Sequence, residues 1–126
     1  MNISSNEKGL GGALTNPTEL AKSKGNLKNS YPITFLGIKY VDSEQAYQDN
    51  KLNQDDFDYA LMVDILVCKL EQYPMLIDGI KKRGGLPFIS ECSHFVFPSY
   101  DKRSRWTGQG QESLFIKALT EAYKKI

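Results

Sequence analysis

From Phe57 to Leu70 the chain is apolar almost without a break: Phe57, Tyr59, Ala60, Leu61, Met62, Val63, Ile65, Leu66, Val67, Cys68 and Leu70. Asp55 and Asp56 suit the first turn of a helix there, where negative charge meets the positive end of the helix dipole. Pro74 cannot continue that helix but can open the next one, Met75 to Ile80, which Gly84-Gly85 ends. A helix apolar around its whole circumference is buried, so the remaining elements must pack around this one. With 126 residues, 40% apolar and 25% charged, the chain is the size and composition of one globular domain. The expected fold class is mainly α, of the α+β kind, with residues 1–126 as a single domain.

The flanking segments supply the packing partners. Ile33, Phe35, Ile38, Tyr40 and Val41 are strand formers hinged at Gly37, which predicts one small β-hairpin within Tyr31–Val41. Asp42 or Ser43 can cap a helix that begins near Glu44 and ends before Asn53. Leu114, Phe115, Ala118, Leu119, Ala122 and Ile126 share one face of a final helix. The predicted core includes Phe35, Leu61, Ile65, Leu66, Leu76, Phe115 and Leu119. Residues 1–12, with Gly9-Leu10-Gly11-Gly12, are expected as a flexible arm. Asn16, Pro17 and Glu19 then fit the cap and first turn of a short helix. Leu86 to Arg105 lacks a clean period, and a segment that long is either functional or contains a further element.

Charge and motifs exclude several classes. Sixteen basic and 15 acidic residues leave a net charge of +1, too little for a protein that wraps nucleic acid through phosphate neutralisation. No stretch approaches the roughly 20 apolar residues of a membrane span. The opening residues lack a basic region followed by an apolar run, so no signal peptide is expected and the expected location is cytoplasmic. Cys68 and Cys92 form no CxxC pair and read as reduced thiols. The only histidine, His94, has too few neighbouring ligands for zinc, so neither a metal nor a cofactor is expected. There is no Gly-x-Ser-x-Gly elbow, Walker sequence or GxGxxG.

Several residues could carry chemistry, each with a plainer alternative. Glu44 opens a helix directly after the hairpin, where a carboxylate can face a pocket or simply serve the helix end. Tyr47, Gln48 and Lys51 follow at i+3, i+4 and i+7 on the same face, either as a site or as a solvated stripe. Lys69 interrupts the most apolar helix. It can snorkel to water, pair with an acid, or titrate low and become a nucleophile for a sugar aldehyde. Trp106-Thr107-Gly108-Gln109-Gly110 offers an aromatic platform and flexible glycines, or core packing. Lys102, Arg103 and Arg105 can hold a pyrophosphate, or form a solvated loop.

Taken in order, these pieces resemble the signature of the NADAR (YbiA-like) superfamily. Tyr40-Val41-Asp42-Ser43-Glu44-Gln45-Ala46-Tyr47-Gln48-Asp49-Asn50-Lys51 is similar to its aromatic, turn and helix carrying Glu, Gln and Lys. Leu14-Thr15-Asn16 resembles its Ser-Asn element, and Lys69-Leu70-Glu71-Gln72-Tyr73-Pro74 its Lys-Phe-x-Gln-Asn-Pro segment. Ile89-Ser90-Glu91-Cys92-Ser93, Trp106 to Gly110 and Ser113 to Leu119 resemble, in turn, its Leu-x-Glu-Ala-Ser, Trp-Gly-x-Gly and Asn-Leu-Leu-Gly-Lys-x-Leu. The match runs from about residue 13 to 123. Gln45 stands where the family has His, Thr107 splits Trp from Gly, and Ser113 stands where Asn is usual.

The resemblance implies a compact YbiA-like helical domain and cleavage of N-glycosidic bonds, with an ADP-ribose-containing nucleotide or ADP-ribosylated nucleic acid as partner. It implies catalytic roles for Glu44, Lys69 and Lys51. Substrate binding would fall to Asn16, Tyr47, Gln48, Arg103, Arg105, Trp106, Gly108, Gly110 and Ser113. Three activities fit: removal of ADP-ribose from guanine in DNA or RNA, cleavage of a small phosphorylated ribosylamine of riboflavin synthesis, and non-catalytic binding of an ADP-ribose-like nucleotide.

Overall fold

A computed structural model describes residues 1–96 and 104–126. The predicted buried helix is α4 (Asp55–Gln72), preceded by α1 (Gly9–Leu14), α2 (Thr18–Ser23) and α3 (Ser43–Asn50). After it come α5 (Pro74–Lys82), α6 (Leu86–Glu91) and α7 (Leu114–Lys124), the last entered through a 3-10 turn at Gly110–Glu112. Strands β1 (Ile33–Phe35) and β2 (Ile38–Tyr40) form the expected antiparallel hairpin, with Ile33 opposite Tyr40. The fold is mainly α.

Helix α4 packs most extensively on α7, and also on α3, α5 and β1. All seven predicted core residues are buried. Ile65 is fully enclosed, and burying one such side chain contributes about 1.5–3 kcal/mol. The circumference of α4 is not wholly covered, however. Phe57, Ala60 and Asp64 recur at i+3 and i+4 and leave one stripe to solvent. The apolar run therefore overstated the burial of its N-terminal turn, where Phe57 is 41% exposed.

The first twelve residues are not the expected loose arm. Ile3 is fully buried, its N–H donates to the Ser93 carbonyl at 2.8 Å, and the Ser93 N–H donates to Met1 at 2.9 Å. The glycine run is helical as α1, and other backbone comes close to it at Gly11 and Gly12. A Cβ on Gly12 would collide with the Glu7 carbonyl, and one on Gly11 would sit 2.7 Å from the Asn2 oxygen. The aperiodic stretch from Leu86 to Arg105 holds α6, which has Pro87 in its first turn, and one strand of a second small sheet. In that sheet β3 (Ser93–His94) pairs antiparallel with β4 (Gly108–Gln109). Both elements are too short for periodicity to reveal.

The turn before α3 sets the geometry of the site. Asp42, 5% exposed, caps two helices at once. Its Oδ1 accepts from the Gln45 N–H at 3.0 Å and its Oδ2 from the Glu19 N–H at 3.1 Å. Asn16 consequently does not cap α2, as its sequence position suggested; the cap comes across the fold from Asp42. Its carbonyl instead accepts from the Glu44 N–H at 3.2 Å. The start of α2 and the start of α3 are thereby locked side by side.

Candidate active site

Beside that junction lies a cavity of about 240 Å³. Its wall includes Asn16, Glu44, Tyr47, Gln48 and Trp106, five of the residues expected at the site. They come from three separate stretches of chain. Thr15, Met62, His94 and Phe115 complete much of the remainder.

Glu44 reaches the wall from the first turn of α3, and its Oε1 accepts from Gln48 Nε2 at 2.8 Å. This is the i,i+4 relation that places both side chains on one helix face. Tyr47 lies on the same helix, only 8% exposed, and meets Trp106 edge-to-face with ring centroids 5.7 Å apart. Burial raises the Tyr47 phenol above its ordinary value. Asp58 and Glu44 push the same way, while Arg105 and a hydrogen bond from Trp106 oppose them. Asn16 Nδ2 donates to Met62 Sδ at 3.1 Å, and its buried Oδ1 has no partner among the described residues. The Thr15 hydroxyl oxygen is likewise unpaired. Both atoms are enclosed by protein, and each carries the free-energy cost of a buried polar group without a partner among the described residues.

Trp106 is held from both sides. The Arg105 guanidinium lies 4.7 Å from its ring centroid, and its carbonyl accepts from Ser113 Oγ at 2.6 Å. Ser113 is fully buried and also caps α7 by accepting from the Ile116 N–H at 3.2 Å. It therefore positions Trp106 and has no surface to offer a substrate. Arg105 is turned toward Asp55, with Nε 3.6 Å from Oδ1, and is not part of the cavity wall. Arg103 and Lys102 lie outside the described residues. Among the described residues that line the cavity, none is Lys or Arg. Lys24 does donate to Oγ of the lining residue Ser5 at 2.7 Å.

The glycines do not line the cavity either. Gly108 pairs with His94 in the second sheet. Gly110 has φ +57° and donates its N–H to the Cys92 carbonyl at 2.8 Å. A Cβ there would lie 2.7 Å from the Ser90 carbonyl oxygen. Close backbone packing and the left-handed backbone are enough to require glycine at 110.

Neither candidate lysine reaches the wall. Lys51 follows the end of α3 and donates its backbone N–H to the Tyr47 carbonyl at 2.9 Å. Lys69 does not snorkel: it is 1% exposed and its Nζ donates to the Thr15 carbonyl at 2.6 Å. Burial lowers its ammonium to about 7, partly offset by the charge of Asp42. Lys69 thus supports the cavity floor from behind Thr15.

Sequence reasoning weighed His94 only as a metal ligand. It is 9% exposed at the cavity wall, stacked on Phe115 with centroids 4.6 Å apart, and its Nδ1 is 2.7 Å from the Ile3 carbonyl oxygen. Nothing local marks it, because Ile3 and Phe115 are distant in sequence. Among the described residues no group of three or more His, Cys, Asp or Glu could hold a metal. No described helix is long and apolar enough to cross a membrane. Compared with protein-family models, curated proteins and solved structures, the chain matches none.

Proposed function

We propose that the protein is an N-glycosidase that removes ADP-ribose from guanine bases in DNA or RNA, acting in the cytoplasm. The observation that carries this reading is the convergence of Asn16, Glu44, Tyr47, Gln48 and Trp106 on one cavity. Breaking an N-glycoside builds positive charge at the anomeric carbon and negative charge on the leaving base. The Glu44 carboxylate on the cavity wall can stabilise the first. Trp106, braced by Tyr47, offers a face for stacking on a base or ribose. With Lys51 and Lys69 away from the wall, direct attack by water fits the geometry better than an imine on either lysine.

Mass spectrometry of an oligonucleotide carrying ADP-ribosyl-guanine tests this. Loss of the ADP-ribose mass with the wild-type protein, and its retention with Glu44→Gln, is the expected pair of results. Retention with both proteins rejects the reading.

The cavity volume favours a second reading. At about 240 Å³ it is below the roughly 300–1,000 Å³ usual for small-molecule sites, which suits a small phosphorylated ribosylamine better than a dinucleotide. Turnover of a free ribosylamino-pyrimidine phosphate without turnover of the modified oligonucleotide would establish that substrate instead. Tight binding of ADP-ribose without turnover of either would point to a non-catalytic nucleotide-binding module.

A further inference from the structure

A hydrolytic site without a covalent lysine needs a group that takes the proton of the attacking water. Glu44 already faces the developing positive charge. His94 is the remaining ionisable base in the described wall, since Tyr47 is held in its protonated form. The Ile3 carbonyl can only accept, so the 2.7 Å contact places the ring proton on Nδ1 and leaves a lone pair on Nε2. Nε2 has no hydrogen-bond partner among the described residues, and His94 lines the cavity. The ring cannot turn freely, because Phe115 stacks on it and the Ile3 backbone is itself fixed to Ser93. Burial disfavours the imidazolium, which keeps the resting ring neutral.

We infer that His94, through Nε2, is the general base of the cavity, an assignment that rests on the N-glycosidase reading above. The glycosidic C–N bond breaks and its electron pair leaves with the base nitrogen. The water oxygen forms the new C–O bond at the anomeric carbon, and one water proton passes to Nε2. The imidazolium then returns that proton to the departing base or to solvent. One water is consumed, one sugar hydroxyl and one base N–H are formed, and nothing is oxidised or reduced. This arrangement is the general one for base catalysis, in which the ring nitrogen away from the reaction is fixed by an acceptor so that the other stays available.

Because the chain has a single histidine, its imidazole nitrogens can be read without assignment ambiguity by ¹⁵N NMR. The expected spectrum is that of the neutral Nδ1–H tautomer, with the Nε2 resonance shifting on titration with ADP-ribose. The companion variant is His94→Asn, whose amide N–H can still reach the Ile3 carbonyl. It should melt near wild type, and kcat on ADP-ribosyl-guanine oligonucleotide should fall on the order of 10²-fold or more with KM little changed. An Nε2–H tautomer, or wild-type kcat in His94→Asn alongside an inactive Glu44→Gln, overturns the inference and leaves the N-glycosidase reading intact. An inactive wild type overturns both. If His94→Asn does not fold, an Nε2 resonance unmoved by saturating ADP-ribose overturns the inference.

Discussion

The Lys69 ammonium and the Thr15 carbonyl meet at 2.6 Å inside the protein, tying the central helix to the strip of chain that lines the cavity. A lysine this buried carries its charge at a cost, and burial brings its ammonium down to about 7.

The consequence is a pH dependence of stability with a definite sign. The unfolded chain holds the Lys69 proton up to about pH 10, whereas the folded chain releases it near pH 7. Between those values the unfolded state binds more protons, so stability rises with pH. The desolvation penalty is fully present below about pH 7 and is relieved progressively as pH rises from there toward about pH 10. Urea titrations should give about 1 kcal/mol more stability at pH 8 than at pH 7 from this group. In Lys69→Met that increment should disappear; an unchanged slope would show that another group is responsible.

Asp42→Ala should destabilise more than a single lost cap, because one carboxylate serves the first turns of both α2 and α3. A cap is worth about 1 kcal/mol, so a loss of about 2 kcal/mol is expected by thermal denaturation. Removing the acid that partly supports the buried Lys69 charge adds to it.

Trp106 is the sole tryptophan, so its fluorescence reports on the cavity wall directly. Addition of ADP-ribose should change the emission. Trp106→Ala should weaken binding by about tenfold or more, in line with roughly 1–3 kcal/mol per stacked base. Equal affinity in calorimetry would remove Trp106 from the ligand contacts.

Gly110→Ala separates a packing role from a phosphate-binding one. The left-handed backbone and the 2.7 Å approach of the Ser90 carbonyl make an added methyl costly. A loss of roughly 2 kcal/mol in urea unfolding is expected. Normal stability with weakened ADP-ribose binding would restore the phosphate role.

The core was readable in advance because Leu61, Ile65 and Leu66 on α4, and Phe115 and Leu119 on α7, follow the helical period that burial imposes. The hairpin was readable from its strand formers and Gly37. The elements that escaped notice, α1, α6 and the second sheet, span six residues or fewer per piece and are held by tertiary contacts rather than by pattern. Part of the site was legible as well: Glu44, Tyr47 and Gln48 share one helix face. The roles of Lys69, Ser113 and Gly110 were not, because sequence gives the chemistry of a side chain but not which way the fold turns it. His94 is held by Ile3, 91 residues earlier, and by Phe115 and Gly108 later in the chain.

That long-range pairing of the chain's opening residues with Ser93 and His94 also has a meaning in time. During synthesis Ile3 is made before residues 93 and 94, and these pairings wait until they follow. Helices α3, α4 and α5 are made in the interval. The cavity therefore gains its histidine wall only after most of its scaffold exists, and that wall is complete only once α7, which supplies Phe115, has docked.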